Sequence, residues 1–421
     1  MALGPSILPI FEQLGLLDEI KRIGRPYRYL DIYNEKLTKM GTIDMSGHEK
    51  LVGYEQIIFA RPRLYDIMLK QVPPHKISHN KKIVRTEEKD GKVMIFCSDD
   101  TRYSGDILVG ADGAYGGVRQ NLYQQMDENG LLPKSDLESF TYGFINMVAV
   151  AEPDDPSKYP QLQDDRCHFS LVLGGTGGRT WGAMTVPDNQ ICWSLGVQLS
   201  EADSKSRQFR NSEWKPETID AMYKEYENLP SPWGGTMGEI MKFTPKDQIS
   251  KVFLEEKIFK TWYGGQTVLI GDSCHKMLPG AGLGAVNAMQ DAVVLANCIY
   301  NMPDASAVSA TGAFKEYYRQ RFHRLDSQFK RSQTMTSVMT GKTWVQRLTR
   351  HAMLNFVPKW VQDRDFIKSF EYRPQVAWLP LIPNRGVGKV LPPDGERELL
   401  KDREERLKKL YAQTTASVAA A

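Results

Sequence analysis

The sequence predicts a mixed α/β protein in which a parallel sheet is interrupted by an inserted antiparallel sheet and followed by a helical C-terminal region. Two short apolar runs predict the parallel sheet. Each ends in glycine and aspartate, and the second leads through a glycine-bearing loop into a helix. A third observation predicts the insertion, because four β-rich runs joined by turn residues lie between the two apolar runs.

The composition is that of an ordinary globular protein and argues against several classes of function. Of 421 residues, 41% are hydrophobic and 25% are charged, and the formal net charge is +3. Lys and Arg are spread along the chain, so the sequence shows no nucleic-acid-binding footprint. The five cysteines are scattered without a CxxC pair, which argues against a disulfide framework or a zinc site.

The cellular location is predicted from three further features. Scattered cysteines favour a reducing compartment. The first residues, MALGPSILPIFEQLG, lack the basic start of a signal peptide. No apolar run approaches the roughly 18 residues that would span a bilayer. We therefore expect a soluble, cytoplasmic protein.

The first segment alternates helices and strands. Residues 5–20 (PSILPIFEQLGLLDEI) carry apolar side chains at helical spacing, which predicts one helix. YRYLDIYN and KMGTIDM predict two strands around a turn, and residues 81–105 predict three short strands with a turn at Lys89-Asp90-Gly91. A fourth strand is expected at Ile107–Val109. RPRLYDIMLKQV predicts a helix, whose inward side is expected to carry Leu64, Ile67, Met68 and Val72.

The middle of the chain changes to β-rich sequence. TYGFINMVAVAE, CHFSLVLGG, RTWGAMTVP and QICWSLGVQLS predict strands, and turn residues at 174–178 and 187–189 predict hairpins between the last three. A helix, ETIDAMYKEYENL, follows. The predicted division of the chain is a first parallel-sheet segment at 1–139, a β-rich domain at 140–255, a second parallel-sheet segment at 256–300, and a helical region at 301–421 with a charged, Ala-rich tail.

The stretch LIGDSCHKMLPGAGLGAVNAMQDA carries the strongest signal for a ligand. The run TVLIGD delivers Asp272 at the carboxyl end of a buried strand, where ligands bind in open α/β sheets. Gly280, Gly282 and Gly284 let backbone N–H groups approach a ligand, and the following helix points its positive end at the ligand. Glycines alone fit an ordinary strand-to-helix turn equally well. The order of Asp, Pro, three Gly and Asn favours a ligand site.

A second stretch, SGDILVGADGAYGGVR, repeats the pattern far away in the chain. It is also a strand that ends in Gly-Ala-Asp-Gly, with Arg119 just beyond it. Because Asp112 and Asp272 each follow a strand among glycines, we expect one ligand to be held from both sides.

Both stretches resemble motifs of the flavoprotein monooxygenases of the para-hydroxybenzoate hydroxylase type. GDILVGADGAYGGVR looks like the family's Asp-Gly motif, and GDSCHKMLPGAGLGAVNAMQDA is similar to its second flavin motif. LGLLDEI and FARPRLYDIML resemble helices of the same family. With YRPQVAWLP near the end, the sequence is most similar to the fungal secondary-metabolite hydroxylases and epoxidases. The resemblance implies a Rossmann-like, FAD-binding parallel sheet, with FAD as cofactor and NAD(P)H as transient co-substrate.

The resemblance also implies which residues hold the flavin. Asp272 would bind the ribityl chain, and the loop from Pro279 to Gly284 would face the N1–C2=O edge of the isoalloxazine, where a helix N-terminus stabilises negative charge. Asp112 and Gly113 would lie near the pyrophosphate and the NAD(P)H contact. The predicted cofactor-binding residues are Arg61, Asp112, Gly113, Asp272, Pro279, Gly282, Leu283, Gly284 and Ala285. His275 and Asn287 are expected to support the loop, and Arg63 is a surface alternative to Arg61.

The sequence departs from the family at its beginning. The family opens with a strand, a Gly-x-Gly-x-x-Gly loop and a helix, whereas ALGPSILPIFEQLG in the family follows that unit. We therefore expect an FAD-binding domain without its N-terminal βαβ unit of about 40–50 residues. We also expect that this chain alone is poorly soluble or flavin-free. At Gly116 the family usually has Ser.

The resemblance implies an FAD-dependent monooxygenase. NAD(P)H would reduce FAD, and a flavin C4a-hydroperoxide would hydroxylate or epoxidise a small lipophilic or aromatic substrate. No catalytic side chain is expected. The alternatives are a truncated, inactive relative that binds FAD weakly or not at all, and a halogenase or reductase on the same scaffold. The β-rich domain would be the substrate wall, although each of its candidate side chains fits a core position too: Phe169, Leu171, Trp181, Met184 and Trp193.

The C-terminal region contains a basic amphipathic segment, KTWVQRLTRHAMLNFVPKW. It places Trp344, Val345, Leu348 and Phe356 near one side and its cations elsewhere. Two interpretations stay open, a weak contact with a membrane surface and a helix that covers the substrate domain. The expected partners are thus a small-molecule substrate, O₂ and this membrane surface, with no nucleic acid.

Overall fold

The computed structural model describes residues 1–175, 178–199, 216–278 and 282–391. It confirms the mixed α/β class, with one large mixed sheet, two three-stranded sheets and a run of C-terminal helices. The predicted charged, Ala-rich tail and Pro279 lie outside the described residues. In the part of the chain that is described, no helix combines the length and the apolar character that crossing a membrane requires.

The strands are β1 (Ala2–Leu3), β2 (Arg25–Asn34), β3 (Lys39–Asp44), β4 (Gln56–Ile58), β5 (Ile83–Lys89), β6 (Lys92–Cys97), β7 (Arg102–Gly105), β8 (Leu108–Gly110), β9 (Thr141–Ala151), β10 (Cys167–Leu173), β11 (Arg179–Val186), β12 (Gln190–Gln198), β13 (Ser250–Ile258), β14 (Tyr263–Gly264), β15 (Thr267–Leu269) and β16 (His275–Lys276). The α-helices are α1 (Leu8–Gln13), α2 (Leu17–Arg22), α3 (His48–Val52), α4 (Arg61–Leu69), α5 (Gly117–Glu128), α6 (Lys134–Leu137), α7 (Pro216–Tyr226), α8 (Met237–Met241), α9 (Gly284–Tyr300), α10 (Ala307–Thr340), α11 (Trp344–Asn355) and α12 (Lys359–Ser369).

The large sheet has the order β1-β4-β2-β10-β11-β12-β9-β13-β16, with β3 paired to β2. The predicted hairpins β10–β11 and β11–β12 are confirmed as antiparallel pairs. Asp188 and Asn189 close the second hairpin with positive φ angles of 64° and 55°, as a type I′ turn requires. The large sheet crosses the first predicted domain boundary, because β2 pairs with β10 in parallel. The division into domains stays a prediction.

Two smaller sheets confirm further strand predictions. β5, β6 and β7 form an antiparallel meander whose first turn has positive φ at Asp90 and Gly91. β8 and β15 pair in parallel, with Gly110 opposite Leu269, and β14 pairs with β15 on its other side. The two apolar runs that predicted a parallel sheet are therefore neighbours in space, and their carboxyl ends meet at one edge.

Two details of the predicted helices are wrong. The helix expected at residues 5–20 is two helices, α1 and α2, because Gly15 adopts a left-handed φ of 71° that ends the first one. On α4, Leu64 and Ile67 are buried, but Met68 is 42% exposed, and Val72 lies beyond the end of the helix and is also 42% exposed. Neither break in the pattern is visible from apolar spacing alone.

Candidate functional site

The two strand ends are joined by a serine. Ile270 N–H donates to the Gly110 carbonyl at 3.0 Å, which extends the parallel register beyond β15. Ser273, fully buried in the turn after β15, accepts from the Gly113 N–H at 2.9 Å and donates to Asp112 Oδ1 at 3.3 Å. The structure thus brings Asp112 and Asp272 to the same edge of the sheet, as the sequence predicts.

Asp112 also caps the helix that follows it. Its Oδ2 accepts from the Val118 N–H at 3.0 Å, in the first turn of α5. This position of the carboxylate explains the departure at Gly116, because a Cβ atom there would overlap the Asp112 side chain. Asp112 is therefore held in place by contacts within the chain, and its contact with a flavin pyrophosphate stays a prediction.

Asp272 and the glycines around it leave room for a ligand. The Asp272 side chain is exposed beyond the end of β15. A Cβ atom added to Gly113, Gly282 or Gly284 would have no neighbour within 4 Å, and Gly282 has a φ of 65°. The N-cap residue of α9, Leu283, makes no side-chain cap hydrogen bond, so its side chain leaves the first N–H groups of α9, including that of Ala285, without a cap. These features fit the anionic, hydrogen-bonding edge of a flavin.

A buried ionic network lies directly behind this turn. Asp291 on α9 is fully buried, and its Oδ2 accepts from the Gly271 N–H at 3.0 Å and contacts His275 Nε2 at 2.5 Å. Its Oδ1 accepts from Arg321 Nε at 2.7 Å. Burial alone would raise the pKa of Asp291, but His275 and Arg321 outweigh it and lower the pKa. His275 contacts the carboxylate that holds Gly271, which agrees with the predicted role in packing or loop support, and that role stays a prediction.

Arg321 connects the network to the first turns of α9, the helix that follows the glycine loop (residues 279–284). Its Nη2 donates to Asn287 Oδ1 at 3.0 Å, and its Nη1 donates to Gln290 Oε1 at 3.1 Å. Asn287 in turn donates to Gln328 at 2.9 Å. Arg321 and Asn287 lie on α10 and α9, so the network fixes the start of α9 against the long helix. Sequence alone does not single out Arg321, because an Arg within EYYRQRFHRLD looks like any exposed helical cation.

Two further charged residues hold the turn after β8. The sequence pattern includes Arg119, but it predicts no structural role for Arg119 or for Glu255. Arg119 is buried, donates to the Ala114 carbonyl, and lies 4.4 Å from the centroid of the Phe259 ring. Glu255 is 2% exposed and accepts from Lys276 Nζ at 3.0 Å and from the Tyr115 hydroxyl. In the sequence, Arg119 is marked only by its position after the Asp-Gly stretch, and no pattern marks Glu255.

Arg61 lies at the first position of α4, with an exposed side chain. Its helix shares a buried cluster with α9, through Leu64 and Val286. Arg63 instead forms a surface ion pair with Asp188 at 2.8 Å. The structure therefore agrees with Arg63 as a surface residue, and a flavin contact by Arg61 stays a prediction.

The predicted substrate wall divides into two faces of the large sheet. Val172, Trp181 and Leu195 are opposite one another on neighbouring strands and are 0–2% exposed, so they belong to a covered face. Trp193 lies on the same side and is fully buried, with its Nε1 donating to Thr244 Oγ1 at 2.9 Å. Of the two alternatives left open for Trp181 and Trp193, wall and core, the structure supports the core, because helices α7 and α8 cover their face.

The other three predicted wall residues lie on the opposite side, which we call the open face. On neighbouring strands, Phe169 is opposite Met184, and Met184 is opposite Cys192. The side chains of Phe169, Met184 and Cys192 are only partly buried. Leu171, two residues after Phe169, lies on the same face and is also partly buried. Half-buried apolar side chains on a sheet face can contact a lipophilic molecule.

Leu278, directly before the glycine loop, packs against the large sheet. A Cβ atom at Gly143 in β9 would lie 3.2 Å from the Leu278 methyl carbons, so the absence of a side chain at Gly143 favours this close contact. The Leu278 carbonyl also accepts from Ser332 of α10 at 3.4 Å. The candidate site is therefore bounded by the strand ends, the large sheet and the long helix.

Comparison with known proteins gives a consistent result. Residues 3–311 match the family described as FAD binding domain. The FAD-dependent monooxygenase atmM of Aspergillus flavus is 26% identical over 400 residues, which covers 90% of this chain and 78% of that protein. The FAD-dependent monooxygenase ausM of Penicillium brasilianum is 25% identical over 392 residues, covering 90% of this chain and 79% of that protein.

Solved structures share the fold. Klebsiella pneumoniae HpxO, complexed with FAD and uric acid, superimposes with a TM-score of 0.70 at 19% sequence identity. The match covers 89% of this chain and 88% of HpxO. At this identity the similarity is one of fold, and it agrees with the mixed sheet and the C-terminal helices described above.

Proposed function

Because this chain belongs to the FAD-binding domain family and is an FAD-dependent oxidoreductase of the monooxygenase type, we propose that it uses NAD(P)H and O₂ to hydroxylate or epoxidise a small lipophilic or aromatic substrate. The observation that carries this proposal is the position of the open face. Its half-buried apolar side chains lie on the sheet against which Leu278, the residue before the glycine loop, packs.

The residues present fit FAD. We propose that Asp272 binds the ribityl chain and that the N–H groups at Leu283, Gly284 and Ala285 face the N1–C2=O edge, where the positive end of α9 stabilises negative charge. When bound, the flavin supplies the redox chemistry that activates O₂. The chain orients the cofactor through the Asp291–Arg321 network and excludes water from the substrate with the apolar open face.

The proposed reaction is tested on the purified full chain. The proposed reaction requires bound flavin, seen in its visible absorbance, and O₂ consumption that depends on NADH or NADPH and rises when a lipophilic aromatic compound is added. Mass spectrometry should then show a product with one additional oxygen atom. Flavin-free protein, or flavin-loaded protein that consumes no O₂ with any reductant, would instead support the inactive relative.

Asp272→Ala should weaken FAD binding about 10–100-fold. A hydrogen bond to a charged group is worth about 1.5–3 kcal/mol, and the carboxylate is the only side chain that we assign to the ribityl hydroxyls. Titration of FAD into apoprotein measures the effect. The matched control is Asp106→Ala, because Asp106 is an exposed carboxylate paired with Lys92 just before β8. Equal FAD affinity in both variants would contradict the placement of the ribityl chain.

A further inference from the structure

Helix α11 turns its apolar stripe toward solvent. Trp344 is 71% exposed, Leu348 is 59% exposed and Phe356, just after the helix, is 71% exposed. They recur every four or eight residues and so lie on one side, with Val345 beside them. Trp360, the second residue of α12, is 67% exposed as well. A helix of a soluble protein normally buries such a stripe, so this surface requires an explanation.

The opposite side of α11 is attached to the protein. Arg350 is buried and donates to the Met339 carbonyl at 2.5 Å, and Gln346 donates to Ser337 Oγ at 2.7 Å. Leu354 packs on β3 so closely that a Cβ atom at Gly41 would lie 2.8 Å from it. A capping box between Thr343 and Gln346 fixes the start of the helix. The outward orientation of the stripe is therefore set by packing.

The charge around the stripe is strongly positive. Residues 327–362 contain no Asp or Glu. Residues 341–370 contain six Lys or Arg and two Asp, a net charge of +4, whereas the whole chain has a net charge of +3. Lys342 and Arg347 are exposed beside the stripe. Of the two carboxylates, Asp365 already pairs with Arg331, and Asp363 lies 3.3 Å from Lys359.

We propose that this surface docks on an anionic phospholipid membrane, with α11 lying in the plane of the interface. Trp344 and Trp360 would anchor the two ends at the headgroup level, and Leu348 and Phe356 would enter the acyl boundary. Lys342 and Arg347 would contact anionic headgroups. A second copy of the chain fits less well, because a two-fold contact would place two surfaces of like charge together. The inference does not depend on the proposed reaction.

Vesicle flotation of the full chain tests the proposal. We expect the protein to float with vesicles that contain phosphatidylserine at low salt, and to float less with pure phosphatidylcholine or at high salt. Leu348→Glu combined with Phe356→Glu should reduce vesicle binding at least about tenfold, because it replaces two apolar side chains with two negative charges. The matched control is Val308→Glu, an 83% exposed valine at the start of α10, which should float like the wild type.

Two kinds of result would overturn the inference. One is wild-type protein that stays in the dense fractions, as would happen if another part of the chain covered the stripe. The other is equal flotation of the double variant and the Val308→Glu control. Sedimentation analysis of the same samples detects a second copy as the occupant, because the double variant would then change from dimer to monomer without a change in flotation. Circular dichroism verifies that both variants fold.

Discussion

Replacing Arg321 with methionine is expected to destabilise the protein by about 3–5 kcal/mol and to release its flavin. The Arg321 side chain is 0% exposed and forms an ion pair with Asp291. The other carboxylate oxygen of Asp291 contacts the Gly271 N–H and His275, which lie just before the glycine loop in sequence. Removing one partner of a buried ion pair leaves the other charged and desolvated. Such a loss is a large fraction of the stability of a typical domain, which is about 5–15 kcal/mol. Urea unfolding and FAD titration at neutral pH measure the two effects.

The same helix offers a matched control. Arg319 pairs with Glu316 on the surface, where its side chain is 51% exposed, so Arg319→Met should cost less than about 1 kcal/mol. The double variant Arg321→Met/Asp291→Leu should recover part of the loss, because it removes both charges together. If Arg321→Met and Arg319→Met were equally stable, the buried network would have no role in holding the loop.

The positions of site residues could be predicted from the sequence wherever a local sequence pattern dictates one geometry. Parallel strands bring their carboxyl ends to one edge, so two Asp-bearing strand ends predict that Asp112 and Asp272 are neighbours, and the register of Gly110 with Leu269 confirms it. Glycines with open space beside them follow from the same motifs. These features depend on residues that are close in sequence or constrained by a sheet.

The network behind the site was not predictable, because it depends on how distant elements pack. Arg321 meets Asp291 only because α10 lies along α9, and no local spacing specifies that contact. The parallel pairing of β2 with β10, which joins residues from both sides of the first predicted domain boundary, is equally non-local. Strand periodicity separates two faces of a sheet, but it does not tell which of them helices will cover.

The face that the helices cover determines a second large effect, which is on the stability of the protein. Trp193→Ala should destabilise the protein by about 3–5 kcal/mol, because the ring is fully buried between the covered face and helices α7 and α8. It also removes the donor to Thr244. Phe169→Ala, on the open face, should cost clearly less, since its side chain is only partly buried. Denaturant unfolding of both variants gives the comparison.

The effects of the same two variants on the substrate KM should have the opposite order, with the larger effect for Phe169→Ala. If the open face contacts the substrate, Phe169→Ala should raise the substrate KM while FAD content stays that of the wild type. Trp193→Ala, assayed at a temperature where it is folded, should leave KM unchanged because its ring does not reach that side of the sheet. Trp193→Phe, which keeps one aromatic ring but loses the rest of the indole and the bond to Thr244, should also leave KM unchanged. A raised KM in the tryptophan variants, with Phe169→Ala behaving like the wild type, would place the substrate on the other face.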